Sequence, residues 1–194
     1  MSSTQAPRNT VSPERKLQRM SQELMDADWA VWSFTAVIHN RSDAFSFLMG
    51  LVSLLPQFLI CAFIGADLVV FRTQLVVLQV ALLFNEVSNV VLKRLVQHPR
   101  PLHPCAFAAR PDYGMPSSHA QFAFFAATWV ALELLRRGSA SFNRRHTARR
   151  NTVLVDILIS CGLILLAALV CVSRVWNSYH TTSQVVVGAV VGTC

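Results

Sequence analysis

The chain has 194 residues, enough for one domain and too few for two of ordinary size; 53% of them are apolar and 14% charged. That composition points to a membrane protein and away from a soluble domain. The 17 Lys and Arg exceed the 10 Asp and Glu by seven, but the arginines cluster between hydrophobic stretches and no nucleic-acid-binding motif accompanies them, so nucleic acid is not an expected partner. Cys61, Cys105, Cys161, Cys171 and Cys194 show no C-x-x-C spacing, which argues against a zinc site or a disulfide framework.

Residues 1–28 are rich in Ser, Thr, Pro, Gln and charges of both signs, and are expected to be a disordered or loosely helical tail. They hold no apolar run of the kind a secretory signal needs, and Glu14, Glu23, Asp26 and Asp28 dilute the basic charge of a transit peptide. Residues 29–45 carry Trp29 and Trp32 and a short apolar run broken by Arg41 and Asp43, which suits an interfacial segment better than a crossing.

Phe45 to Ala66 contains no charge, and a helix of that length covers the roughly 30 Å of hydrocarbon at about 1.5 Å per residue. Further spans are expected near Gln74–Val96, Ser118–Leu135 and Thr152–Val172; a fifth helix starts near Thr182 and meets the last residue, Cys194, after about half a crossing. The expected fold is an all-α polytopic membrane helix bundle occupying residues 46–194, with four complete transmembrane helices plus a truncated fifth. Four crossings put loops 97–117 and 173–182 on one side and loop 136–151 on the other. That last loop holds Arg136, Arg137, Arg144, Arg145, Arg149 and Arg150 without an acid, so the positive-inside bias turns it to the cytosol and turns the other two loops to the lumen. The Arg cluster itself reads first as a solvated topology signal and second as a docking patch.

Within the second span, Asn85, Glu86, Asn89 and Lys93 recur at helical spacing and predict one polar side, structural or functional, on a helix of Val and Leu. Pro99 ends that helix by His98, so Lys93 and Arg100 lie near one membrane surface. The third span opens on Pro116-Ser117-Ser118-His119, where Ser118 and Gln121 match a capping box. A helix N-terminus there offers N–H groups to an anion, with His119 at its mouth. After the fourth span comes Ser173-Arg174, then Tyr179-His180 and Thr181-Thr182-Ser183-Gln184, where Thr181 and Gln184 form a second capping box. Lys93, Arg100 and Arg174 on one face would repel one another unless an anion neutralises them. Phosphate fits: Arg forks match its oxygens, Lys adds a point charge, and two His serve as nucleophile and proton donor.

The stretches KRLVQHPRP (Lys93 to Pro101), PSSH (Pro116 to His119) and SRVWNSYHTTSQ (Ser173 to Gln184) resemble, in order and spacing, the K-x6-R-P, P-S-G-H and S-R-x5-H-x3-D motifs of the type 2 phosphatidic acid phosphatase superfamily. Asn85-Glu86, the run Tyr113 to His119, and Gln184 are similar to its dolichyldiphosphatase branch. Ser118 stands where the family has Gly, and Gln184 where it has the Asp that orients the nucleophile. The resemblance implies that His180 attacks phosphorus to form a phosphohistidine and that His119 protonates the leaving oxygen and then activates water. It assigns phosphate binding to Lys93, Arg100, Ser117, Ser118 and Arg174, and leaves Gln184 as nucleophile-orienting or helix-capping. No metal or cofactor enters the scheme. The implied substrate is a polyisoprenoid diphosphate, dolichyl diphosphate released by protein N-glycosylation, cleaved at the lumenal face of the endoplasmic reticulum membrane. The alternatives are phosphatidate or sphingoid-phosphate hydrolysis by the same chemistry, or an inactive module that binds a lipid phosphate.

Overall fold

The computed structural model describes residues 29–32, 37–103, 113–140 and 146–194, with side chains described for 37–103, 113–137 and 153–194. The tail 1–28, Cys105, Asp112, Arg144 and Arg145 lie outside the described residues.

In the stretch read as an interfacial segment, strands β1 (Trp29–Trp32) and β2 (Val37–Asn40) pair antiparallel, Trp29 opposite Asn40. Asp43 then caps α1 (Ala44–Val52), its carboxylate accepting from the Phe45 N–H at 2.9 Å. The expected first span is broken at Ser53–Leu54 before α2 (Leu55–Val69) begins. Pro56 explains the break: it has no N–H for the preceding turn, and a first helical turn is where that loss is tolerated. The third helix, α3 (Thr73–Val96), stops at Gln97, which is left-handed at φ 51°, two residues before Pro99. Then follow α4 (Ser118–Ala140), α5 (His146–Trp176) and the short α6 (Thr182–Thr193).

Among the described residues, three helical stretches are long and apolar enough to cross a membrane: Ala44–Val69 across the α1–α2 break, Thr73–Val96, and Val153–Trp176. The third predicted span is a helix, α4, but it does not belong to that set. It is the helix that the others surround, so its sequence answers to protein neighbours rather than to lipid. Leu78 and Leu82 of α3 pack on its Phe122 and Ala126, and Ala167 and Val170 of α5 on its Ala123 and Ala127. The small residues let the backbones close up.

Helix α6 approaches α4 most tightly. A Cβ at Gly188 would stand 2.6 Å from the Ser117 carbonyl oxygen, and one at Gly192 would collide with the backbone of Gln121. Gly188 and Gly192 are four apart and share one face of α6, so the helix can rest directly on the α4 backbone.

The polar side of α3 divides. Asn85 and Asn89 are buried, and Glu86 is exposed to an apolar cavity of about 290 Å³ that it lines with Ile60, Phe63 and Ile64 of α2. At about 100° per residue the four positions fit one arc roughly 100° wide, with Asn85 and Asn89 toward its buried edge and Glu86 at the other. Gln121 of α4 bridges the buried pair, leaving Asn89 Oδ1 without a hydrogen bond among the described residues. Its Oε1 accepts from Asn89 Nδ2 at 2.7 Å, and its Nε2 donates to Asn85 Oδ1 at 2.9 Å and to the Asn85 carbonyl at 3.0 Å. This overturns the first expected capping box: the helix starts at Ser118, which is therefore inside it, and the Gln121 amide turns to α3 instead of reaching back. In a nonpolar surround, an amide pairs with amides before it caps a terminus.

Candidate active site

The site forms where three chain segments meet. His180 follows the left-handed turn at Ser178 (φ 56°) that ends the α5 extension, and its N–H and that of Tyr179 both donate to the Arg174 carbonyl, at 3.1 and 3.0 Å. This turn folds the ring back under α5 and leaves it 3% exposed. Arg174, 7% exposed, lays its guanidinium 4.0 Å over the Tyr179 ring. The Tyr179 hydroxyl accepts from the Ile38 N–H at 2.7 Å, which ties the turn to β2.

Arg100 reaches His180 from the segment after α3. Its Nη1 lies 3.1 Å from His180 Nε2 and 3.4 Å from the Tyr179 carbonyl. On the other side of the ring, Nδ1 is 3.1 Å from Gln184 Oε1. An arginine only donates, so Nε2 must hold the lone pair and Nδ1 the proton. The neutral tautomer is thus set with the lone pair on Nε2.

Gln184 uses its whole amide. Oε1 also accepts from the Thr181 N–H at 3.2 Å, completing the second predicted capping box, and Nε2 donates to the Pro99 carbonyl at 2.7 Å and to His98 Nδ1 at 3.0 Å. Its backbone carbonyl accepts from the Ser117 N–H at 3.1 Å. One residue therefore joins the segment after α3, the start of α4 and the start of α6. The same amide thus touches the His180 ring and caps the helix. A carboxylate would have no N–H for Pro99.

The Ser117 N–H is engaged by Gln184, so it is not among the donors an anion would find at the α4 terminus. The Ser117 hydroxyl is buried and makes no hydrogen bond to any described residue, and a buried hydroxyl is costly unless something accepts from it. Ser118 and His119 lie in the first turn of α4, and Lys93 lies in the last turn of α3, where its carbonyl accepts from the Gln97 N–H. Lys93, Arg100 and Arg174 all act on His180: burial first, then Arg174 and Arg100, and more weakly Lys93 push its pKa down from 6.5 to about 3. An anion among these cations would be welcomed by all three.

The sequence did not mark His98, Pro99 or Tyr179 as partners of the site, nor Asn177. Asn177 is buried, accepts from Ser46 Oγ at 2.7 Å, and has its carbonyl 2.9 Å from His103 Nε2. None of these contacts has a periodic signature. The Gly188/Gly192 pair did have one, a small-x3-small spacing.

The depressed pKa fixes a sign for stability. Between pH 6.5 and about 3 the unfolded chain binds a proton at His180 that the folded protein refuses, so this residue makes stability fall as pH drops through that window. Thermal melts of the detergent-solubilised protein between pH 7 and 4 are expected to have a shallower pH slope for His180→Asn than for the unsubstituted protein. Equal slopes would show the ring protonates freely in the fold.

Comparison with known proteins gives a consistent result. A family model described as the PAP2 superfamily matches residues 74–194. Dolichyldiphosphatase 1 of Homo sapiens is 34% identical over 170 residues, spanning 87% of this chain and 69% of that protein. Dolichyldiphosphatase of Saccharomyces cerevisiae is 31% identical over 166 residues, spanning 81% and 64%. Among solved structures, a transmembrane PAP2 type phosphatidylglycerolphosphate phosphatase from Bacillus subtilis aligns with a TM-score of 0.60 at 16% identity, over 95% of this chain and 83% of that one. The last likeness is one of fold.

Proposed function

The chain belongs to the PAP2 superfamily, within its dolichyldiphosphatase branch, and on that premise we propose that it is a membrane phosphatase that cleaves dolichyl diphosphate to dolichyl phosphate and inorganic phosphate. The observation that carries the reading is the clamp on His180, with Arg100 at Nε2 and Gln184 at Nδ1.

Nε2 attacks the terminal phosphorus as the bond to the bridging oxygen breaks, and His119 gives that oxygen a proton. His119 then takes a proton from water, the hydroxide displaces the phosphoryl group from Nε2, and inorganic phosphate leaves. Lys93, Arg100 and Arg174, with Ser117 and Ser118 at the α4 terminus, hold the equatorial oxygens as charge spreads over them in the transition state. Nδ1–H stays on Gln184 throughout, and the amide stabilises the imidazolium-like phosphohistidine by its dipole rather than by a charge.

The lipid side rests on the bundle. The cavity between α2 and α3 and the exposed Leu, Val and Phe of α3 offer an isoprenoid chain an apolar surface leading to Lys93. We take the crossings to be four, α1–α2, α3, α4 and α5, followed by the short α6. Loop 136–151, with its arginines, then faces the cytosol, and the site opens to the lumen of the endoplasmic reticulum, where dolichol recycling for N-glycosylation requires it.

Purified protein offered dolichyl diphosphate and phosphatidate side by side is expected to release phosphate much faster from the former. A strong preference for phosphatidate would overturn the assignment in favour of the related lipid phosphatase chemistry.

A further inference from the structure

The sequence motifs contain both histidines but leave out whatever orients the second. In the first turn of α2, Gln57 has its amide nitrogen 3.1 Å from His119 Nε2 as placed. Turning the amide over puts its nitrogen 3.1 Å from the Leu54 carbonyl and 3.3 Å from the Ser53 carbonyl, with its oxygen accepting from His119 Nε2 at 3.1 Å. The second orientation satisfies both ends of the amide. The two carbonyls belong to the α1–α2 break, and that of Leu54 also accepts from the Phe58 N–H at 3.1 Å. The break thus supplies acceptors that anchor the amide and aim its oxygen across to α4.

We propose that Gln57 is the positioning residue for the proton donor: it holds His119 by Nε2–H, so that the proton exchanged with the leaving oxygen and with water is the one on Nδ1. This rests on the reading of His119 as the acid and base of the reaction. In the phosphoryl-transfer step the Nδ1–H bond breaks and its proton goes to the leaving oxygen; in hydrolysis Nδ1 recovers a proton from water. Nε2–H remains on Gln57 in both. Gln57 lies outside residues 74–194, the part matched by the family model, and outside the three stretches that carry the resemblance.

Among the described residues, the charged and titratable groups at this end of the bundle are Lys93 of α3, His98, Arg100 and His103 after it, and Arg174, Tyr179 and His180 at the α5–α6 junction. The test leaves all of them in place. Gln57→Glu sets a carboxylate against the ring and favours the imidazolium, and Gln57→Leu removes the acceptor. With dolichyl diphosphate in detergent, Gln57→Glu is expected to move the alkaline limb of the kcat/KM profile up by about one pH unit. Gln57→Leu is expected to lower kcat by about tenfold with KM little changed. A melting temperature for each variant separates loss of fold from loss of function, and Gln57→Glu alone carries the test if the Leu variant does not fold. Wild-type kcat and an unmoved pH profile, alongside an inactive His119→Ala enzyme, would overturn the role of Gln57 while leaving that of His119. A fully active His119→Ala enzyme would remove both.

Discussion

Replacing His180 by Ala is expected to reduce turnover by on the order of 10⁴-fold or more, the scale on which hydrolases register loss of a nucleophile. The ring is buried, its proton is fixed on Nδ1 by Gln184, and its lone pair faces Arg100, so no neighbouring group can take its place. Substrate labelled in the terminal phosphate, mixed with enzyme and quenched in alkali, should leave label on the unsubstituted protein in the alkali-stable, acid-labile form of a phosphohistidine, and none on His180→Ala. His119→Ala should still accumulate label from a substrate with a good leaving group, because it lacks only the proton. Label found on His119 would exchange the two roles.

The second large effect comes from a residue with no chemistry of its own. Gly188→Leu is expected to cost about 10²-fold in kcat, the scale of a misplacement near 1 Å, and about 1–3 kcal/mol of stability from overpacking. Its new side chain would meet the Ser117 backbone, pushing α6 off α4 and breaking the bond from the Ser117 N–H to Gln184. Gly65→Leu and Gly162→Leu are the controls, since a Cβ at either position meets nothing within 4 Å. Equal activity in all three variants, measured beside their melting temperatures, would show that the close approach of α6 does not hold the site together.

The helices were legible because lipid-facing surface leaves a strong mark. The charge-free run Phe45–Ala66 and the apolar stretches near 74–96 and 152–172 predicted the three helical stretches long and apolar enough to cross a membrane among the described residues, and Pro99 predicted the end of α3. The break at Ser53–Leu54 was not read, although Pro56 carries its cause, because an uninterrupted apolar run hides a local fault in hydrogen bonding. The site residues were legible as chemistry and the family resemblance paired them; what escaped were the supports. Gln57, His98 and Tyr179 act across 62, 86 and 141 residues of sequence separation, on His119, Gln184 and Ile38 respectively, and a contact between distant helices imprints no period on either. The stripe from Asn85 to Lys93 was read as one face because spacing alone does not say which of two neighbouring faces meets a protein partner and which meets lipid.

The amide at 184 has a direction that a carboxylate lacks. Its oxygen end meets two N–H donors and its nitrogen end two acceptors, so exchanging the ends would set donor against donor and acceptor against acceptor at every contact. In a short helix of Val, Ala and Gly, two features choose the rotation about its own axis: the Gly188 and Gly192 face that rests on the α4 backbone, and this amide. At Gln184 the choice is made by polarity, and the setting that satisfies it is also the one that holds Nδ1 of His180 and turns its Nε2 toward Arg100.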